Sequence, residues 1–138
     1  MTVITIAIIA FGIRLNLLGN QSREMSPELG VIAGELKACP DKPNCVNSFA
    51  DTNDDHFIKP LDKDLNLSDV KGAIKSSELN WELKDESPNY LYYTSESKVM
   101  GFVDDIEILK MNNMLHFRSA SRVGYSDLGA NKTYSSEK

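Results

Sequence analysis

Between Gly101 and Lys132 the chain alternates apolar and charged side chains at a spacing of two, the period of a β-strand with one apolar and one polar face. Asn112-Asn113 interrupts the alternation and suits a two-residue turn with positive φ, which pairs Met111 with Met114. That register sets Ile108 opposite Phe117 and Ile106 opposite Ser119, with Leu115 on the same apolar side. On the other side Glu107 opposes Arg118, and Asp105, opposite Ala120, lies diagonally between Arg118 and Arg122. A slip of one residue would put Glu107 beside Phe117, so the complementary charges support the turn assignment independently. Asp104 breaks the pattern. It projects with Ile106 and Ile108 onto the apolar side, opposite Ser121, where an ionised carboxylate needs a partner. Ser121 and the backbone N–H groups of the turn Val123-Gly124-Tyr125-Ser126 are the candidates.

Upstream, Tyr90 to Lys98 is aromatic and β-favouring, and follows a polar loop from Asp85 to Asn89. Ser68 is placed to cap a helix starting at Asp69, with Val70, Ala73 and Ile74 on its apolar face and Trp81 beyond it as a core anchor. Gly72 weakens that helix by about 1 kcal/mol relative to alanine, so the sheet must hold it. His56 to Leu61 reads as a short edge strand ending near Pro60. The fold class is α+β: a small antiparallel sheet with a C-terminal β-hairpin, one packed helix and an N-terminal apolar segment. Residues 1–28 form that segment and a linker, and residues 29–138 a single domain.

Val3 to Ile13 is an unbroken apolar run, too short to cross a hydrocarbon layer of about 30 Å as a helix. Extending it to Leu18 encloses Arg14 and Asn16, and a central arginine costs about 2.5 to 3.5 kcal/mol on insertion scales unless it snorkels. The run has the core length of a secretory signal, but no Lys or Arg precedes it and no clean cleavage pattern follows. Membrane association through residues 3–18, as anchor or atypical signal, is the expectation, with a cell-envelope or membrane-associated location. A cytoplasmic protein with a buried N-terminal element is the alternative.

Cys39 and Cys45 enclose Pro-Asp-Lys-Pro-Asn, and Pro40 and Pro43 enforce a compact loop able to bring the sulfurs together. In an exported domain a disulfide there contributes about 2 kcal/mol; in the cytosol two thiols are expected. His56 and His116 sit at no standard ligand spacing, so no metal site is read. With 15 basic and 20 acidic residues and no Lys/Arg cluster, the chain lacks the footprint of a nucleic-acid binder. A charged fraction of 25% against a hydrophobic fraction of 41% is that of a globular chain rather than a disordered one.

The charged ladder has two readings: a solvated face with exposed ion pairs, each worth about 0 to 1 kcal/mol, or a polar pocket in which Arg118 and Arg122 hold a carboxylate or phosphate. Three functions compete. One is a noncatalytic binding or scaffold module that recognises a protein partner or small anionic ligand through a polar face of Glu107, Arg118, Ser119, Ser121, Arg122, Tyr125, Ser126, Asp127 and Asn131. Another is an enzyme with Asp104 or Asp105 as acid or base. The last is a hydrophobic-ligand binder using Trp81 and the tyrosines. No nucleophile elbow, phosphate-binding glycine loop, zinc motif or cofactor fingerprint supports catalysis, and no cofactor is expected.

Three blocks, LGVIAGELKACPDKPNCVNS from Leu29, GFVDDIE from Gly101 and RSASRVGYSDLGANK from Arg118, resemble the family called domain of unknown function 1499. The resemblance implies a small α+β domain, often behind a membrane segment, in bacteria and photosynthetic eukaryotes, with no established activity. The positions it marks are Cys39, Pro40, Pro43, Asn44 and Cys45; Asp104, Asp105 and Glu107; then Arg118, Ser119, Ser121, Arg122, Tyr125, Ser126, Asp127 and Asn131. Members usually carry a longer N-terminal apolar segment and commonly continue into a C-terminal helix, whereas this chain stops at Lys138. Either that helix is very short or the sequence is truncated.

Overall fold

The structure, a computed structural model, describes residues 2–124; of the candidate residues, Tyr125, Ser126, Asp127 and Asn131 lie outside that range. The C-terminal hairpin pairs β6 (Val103–Met111) with β7 (Met114–Ser121) in the register derived above, from Met111 opposite Met114 to Asp104 opposite Ser121. Its turn residues Asn112 and Asn113 take φ of 52° and 61°, the left-handed geometry that matches the twist of paired strands. A five-stranded antiparallel sheet grows around this hairpin in the order β3 (Cys45–Asn47), β7, β6, β5 (Tyr90–Glu96), β4 (Trp81–Ser87). A separate small hairpin joins β1 (Val31–Ile32) to β2 (Glu35–Leu36) through Ala33 and Gly34, both at positive φ.

The apolar side of the sheet carries Leu91, Tyr93, Ile106, Ile108, Leu115 and Phe117, and α2 (Leu67–Ser76) buries Leu67, Val70 and Ile74 against it. Each such burial contributes about 1.5 to 3 kcal/mol. The helix begins earlier than Ser68 capping implies: Asn66 is the N-cap and makes no side-chain capping bond. Leu67 explains the shift, because it is itself a core residue and draws the first turn onto the sheet. Asp85 to Ser87, expected in a loop, belong to β4. An edge strand with one partner escapes the alternation rule, since no face of it need be apolar. Apart from Trp81 its side chains are exposed, and its pairing is interrupted by a bulge between Leu83 and Asp85. Residues 56–61 form no strand; Phe57 and Leu61 make isolated bridges to Asn47 and Leu115.

Cys39 and Cys45 are joined in a disulfide with sulfurs 2.07 Å apart. Its loop is held by His56, whose Nδ1 lies 2.6 Å from Asp54 Oδ1 and whose Nε2 lies 2.8 Å from the Lys42 carbonyl. The Lys42 carbonyl, followed by the Asp54 and Asp41 carboxylates, raises the His56 pKa above its ordinary value despite partial burial.

At the other end, α1 (Val3–Glu24) is one continuous helix of 22 residues, about 33 Å long, running through Arg14 and Asn16. By length and composition it suffices to cross a membrane, as an anchor or a signal would. Most of it is exposed, but its last turns join the domain. Gly19 lies against the Met100 carbonyl so closely that a Cβ there would fall 1.8 Å from the oxygen. Ser22, fully buried, accepts the Val103 N–H at 2.8 Å, and Arg23 pairs with Glu96 at 2.8 Å.

Gly19→Ala is expected to lift α1 from the sheet at a cost of about 1 to 3 kcal/mol, the range for overpacking. Hydrogen exchange at the Val103 amide should accelerate, while Gly12→Ala, which has open space around it, leaves that amide protected. A second expectation concerns pH. The fold favours protonated His56, so its contribution is complete below about pH 6.5 and lost as pH rises through the higher folded value. Urea midpoints should therefore separate wild type from His56→Gln most at low pH and converge at high pH.

Candidate functional site

The polar side of the sheet is assembled by alternation: Tyr90 and Tyr92 come from β5, Asp105 and Glu107 from β6, and Arg118 from β7, with Arg122 just beyond its end. It is not a solvated face. Glu107 is 0% exposed, Asp105 2% and Arg118 6%, because residues 25–36 fold back across it. Burying these ions without partners would cost several kcal/mol each, so every donor matters.

Glu107 accepts three hydrogen bonds: the Gly30 N–H and the Tyr90 hydroxyl on Oε1, both at 2.7 Å, and Arg118 Nη1 on Oε2 at 3.2 Å. Asp105 receives the Tyr92 hydroxyl at 2.7 Å and a two-pronged pair from Arg122, Nε and Nη2 at 2.9 Å each. Arg122 Nη2 also reaches the Tyr92 hydroxyl, and Nη1 donates to the carbonyls of Ser22 at 3.2 Å and Met25 at 2.8 Å. All five N–H donors of Arg122 are thus engaged. Burial, then the neighbouring carboxylates Glu107 and Asp105, push the Tyr90 and Tyr92 hydroxyls far above their ordinary pKa, so both stay protonated donors. The Asp105 carboxylate raises the Arg122 pKa further.

Asp104 lies on the opposite side, between Ser95 of β5 and Ser121 of β7, and Ser121 Oγ donates to it at 2.5 Å. Ser119 is fully buried, between Ile106 and Val46. Asn44, from the proline loop, donates to the Gly124 carbonyl at 3.0 Å and so fastens that loop to the turn after Arg122. The ladder and the disulfide loop are therefore neighbours in space as well as blocks of sequence.

A family model described as protein of unknown function matches residues 35–135. The chain belongs to the DUF1499 family. No curated protein and no solved structure matches it. The DUF1499 match covers the whole five-stranded sheet and α2, and stops short of α1 and β1.

Beside the buried ladder of this DUF1499 domain a groove of about 520 Å³ opens between the end of α1 and the β4–β5 edge. Four cations, Arg23, Lys84, Lys98 and Arg122, line it against two carboxylates, Glu82 and Glu96. Arg23, Lys84 and Arg122 also line an adjoining cleft of about 700 Å³ under residues 25–30. Lys98 makes no ion pair among the described residues, and Arg23 and Lys84 form exposed pairs with Glu96 and Glu82. Exposed pairs are worth about 0 to 1 kcal/mol and can open. Sequence reasoning singled out Arg122 but missed the other three cations, which come from separate elements and share no spacing.

Elsewhere, Trp81 stacks obliquely on Tyr93 with ring centres 5.8 Å apart, and an apolar cleft of about 290 Å³ runs along α2 beside Leu61 and Leu65. His116 lies buried against Phe49, ring centres 4.3 Å apart, and burial lowers its pKa. Among the described residues no group of three or more His, Cys, Asp and Glu is placed to hold a metal ion.

Glu107→Gln should leave the Arg118 guanidinium buried without its counter-charge and destabilise the domain by about 3 to 5 kcal/mol. Urea unfolding measures it, and combining the change with Arg118→Met should recover part of the loss. Additive losses would mean that the two side chains are not energetically coupled.

Proposed function

We propose that this protein is a noncatalytic binding module held at a membrane by α1, which receives a small anionic ligand in the groove of Arg23, Lys84 and Lys98. The observation that carries this reading is the division of charge on the polar side. Asp105 is satisfied by Arg122 and Glu107 by Arg118 and the covering segment, whereas Arg23 and Lys84 are held only by exposed pairs and Lys98 makes no ion pair among the described residues. Arg122 then acts as the fixed floor of the groove and the lysines as its mobile ligands. Retention of α1 as an anchor is supported by its last turns: removal of Ser22 would strip the Val103 N–H and Arg122 of their partners. The disulfide favours a domain on an oxidising side of that membrane, in the cell envelope.

An enzyme using Asp104 or Asp105 as acid or base has less support. Asp105 already accepts from Arg122 and Tyr92, Asp104 accepts from Ser121, and Arg122 keeps no donor for a substrate.

Titration of the detergent-solubilised full chain with inorganic phosphate and with citrate tests the proposal. At least one anion should bind, and the double change Lys84→Ala with Lys98→Ala should weaken it by about tenfold, roughly 1.4 kcal/mol, without lowering the unfolding temperature. Absence of binding by both anions, or binding indifferent to the double change, would remove this reading.

A further inference from the structure

We infer that the anionic group is the phosphate of a membrane lipid, held where the groove meets the bilayer surface; this rests on the anion-binding reading above and names its ligand. The exposure of α1 fixes the level of that surface. Leu17 is 62% exposed, whereas Gly19 and Ser22 are buried against the domain, so the helix passes from a surrounding apolar medium to protein contact at about Leu18. The contact at that level is the turn between β5 and β6, whose Met100 carbonyl lies on Gly19. The same turn presents Val99, 84% exposed, next to the exposed Lys98. An apolar side chain standing free beside the end of an apolar helix, with a lysine at its base, is the composition of a segment dipping into a membrane interface.

The cations gather at this height. Arg23 belongs to the last turn of α1 and Lys98 to the turn, and both line the groove. Arg14 lies five residues below Gly19, about 7.5 Å along the axis, within the reach of a snorkelling side chain. The first 23 residues contain no Asp or Glu, so no carboxylate on the helix opposes an anionic headgroup until Glu24. A lipid whose phosphate occupies the groove would lay its acyl chains along the exposed apolar flank of α1, past Val99. A soluble phosphate uses the cations alone; a lipid uses Val99 as well.

The full chain reconstituted in nanodiscs of phosphatidylcholine containing a minor share of phosphatidylglycerol, analysed by native mass spectrometry, separates the cases, with glycerol 3-phosphate as the soluble probe. One phosphatidylglycerol should be retained with at least tenfold preference over phosphatidylcholine. Lys84→Glu with Lys98→Glu should abolish retention, and the uncharged change Val99→Ser should reduce it while leaving glycerol 3-phosphate affinity unchanged. If glycerol 3-phosphate binds but the lipids are not distinguished, the lipid assignment fails and the anion-binding reading stands. If neither binds, both fall. If phosphatidylglycerol is retained regardless of charge reversal, it is annular lipid and the groove is not its site.

Discussion

The structure depends on one constraint: two carboxylates are buried in the middle of a sheet face, and each needs more donors than one arginine supplies. Glu107 and Asp105 collect theirs from both directions. Arginines come from β7 and its end, hydroxyls from Tyr90 and Tyr92 on β5, and the last N–H from Gly30 in a segment more than seventy residues away in sequence. Gly30 sits at φ 103°, a conformation that side chains with a Cβ rarely adopt, so the backbone can turn its N–H onto Glu107. Charge burial, normally a cost, here fixes the path of the linker that covers it.

Arg122 extends the same logic to the helix. The last carbonyls of a helix have no partner within it and form the negative end of its dipole. Arg122 reaches Ser22 and Met25 carbonyls there with one nitrogen while the rest of the guanidinium holds Asp105. A single side chain thus joins membrane-length helix, linker and sheet. The two sides of the sheet have divided roles: the apolar side holds α2 by burial, and the polar side holds the N-terminal segment by directed bonds.

Sequence patterns carried the hairpin far because its information is local. A two-residue turn and a period of two determine every pair from Met111–Met114 to Asp104–Ser121, and the complementary charges check the result. Whether the charged side was wet or covered depends on residues 25–36, and no periodicity in β6 or β7 records what lies on top of them. The tyrosines were visible as aromatic strand residues, but their hydroxyl partners became apparent only once β5 was set beside β6. Beyond its core anchor Trp81, β4 was not legible as a strand, since an edge strand carries charges where a central one would carry apolar residues. The cationic groove left no trace in the sequence at all, since Arg23, Lys84 and Lys98 are adjacent only after folding. The motif positions from Tyr125 to Asn131 fall outside the described range.

If α1 holds the chain at a membrane as proposed, the exposed edge at β4 acquires a further meaning. Confinement to a surface raises the concentration that neighbouring copies experience, and an open strand edge would then invite strand-to-strand pairing. Glu82, Lys84, Asp85 and Glu86 crowd that edge, and the bulge between Leu83 and Asp85 breaks the regular row of donors and acceptors. Copies brought together by α1 would then keep their β4 edges apart.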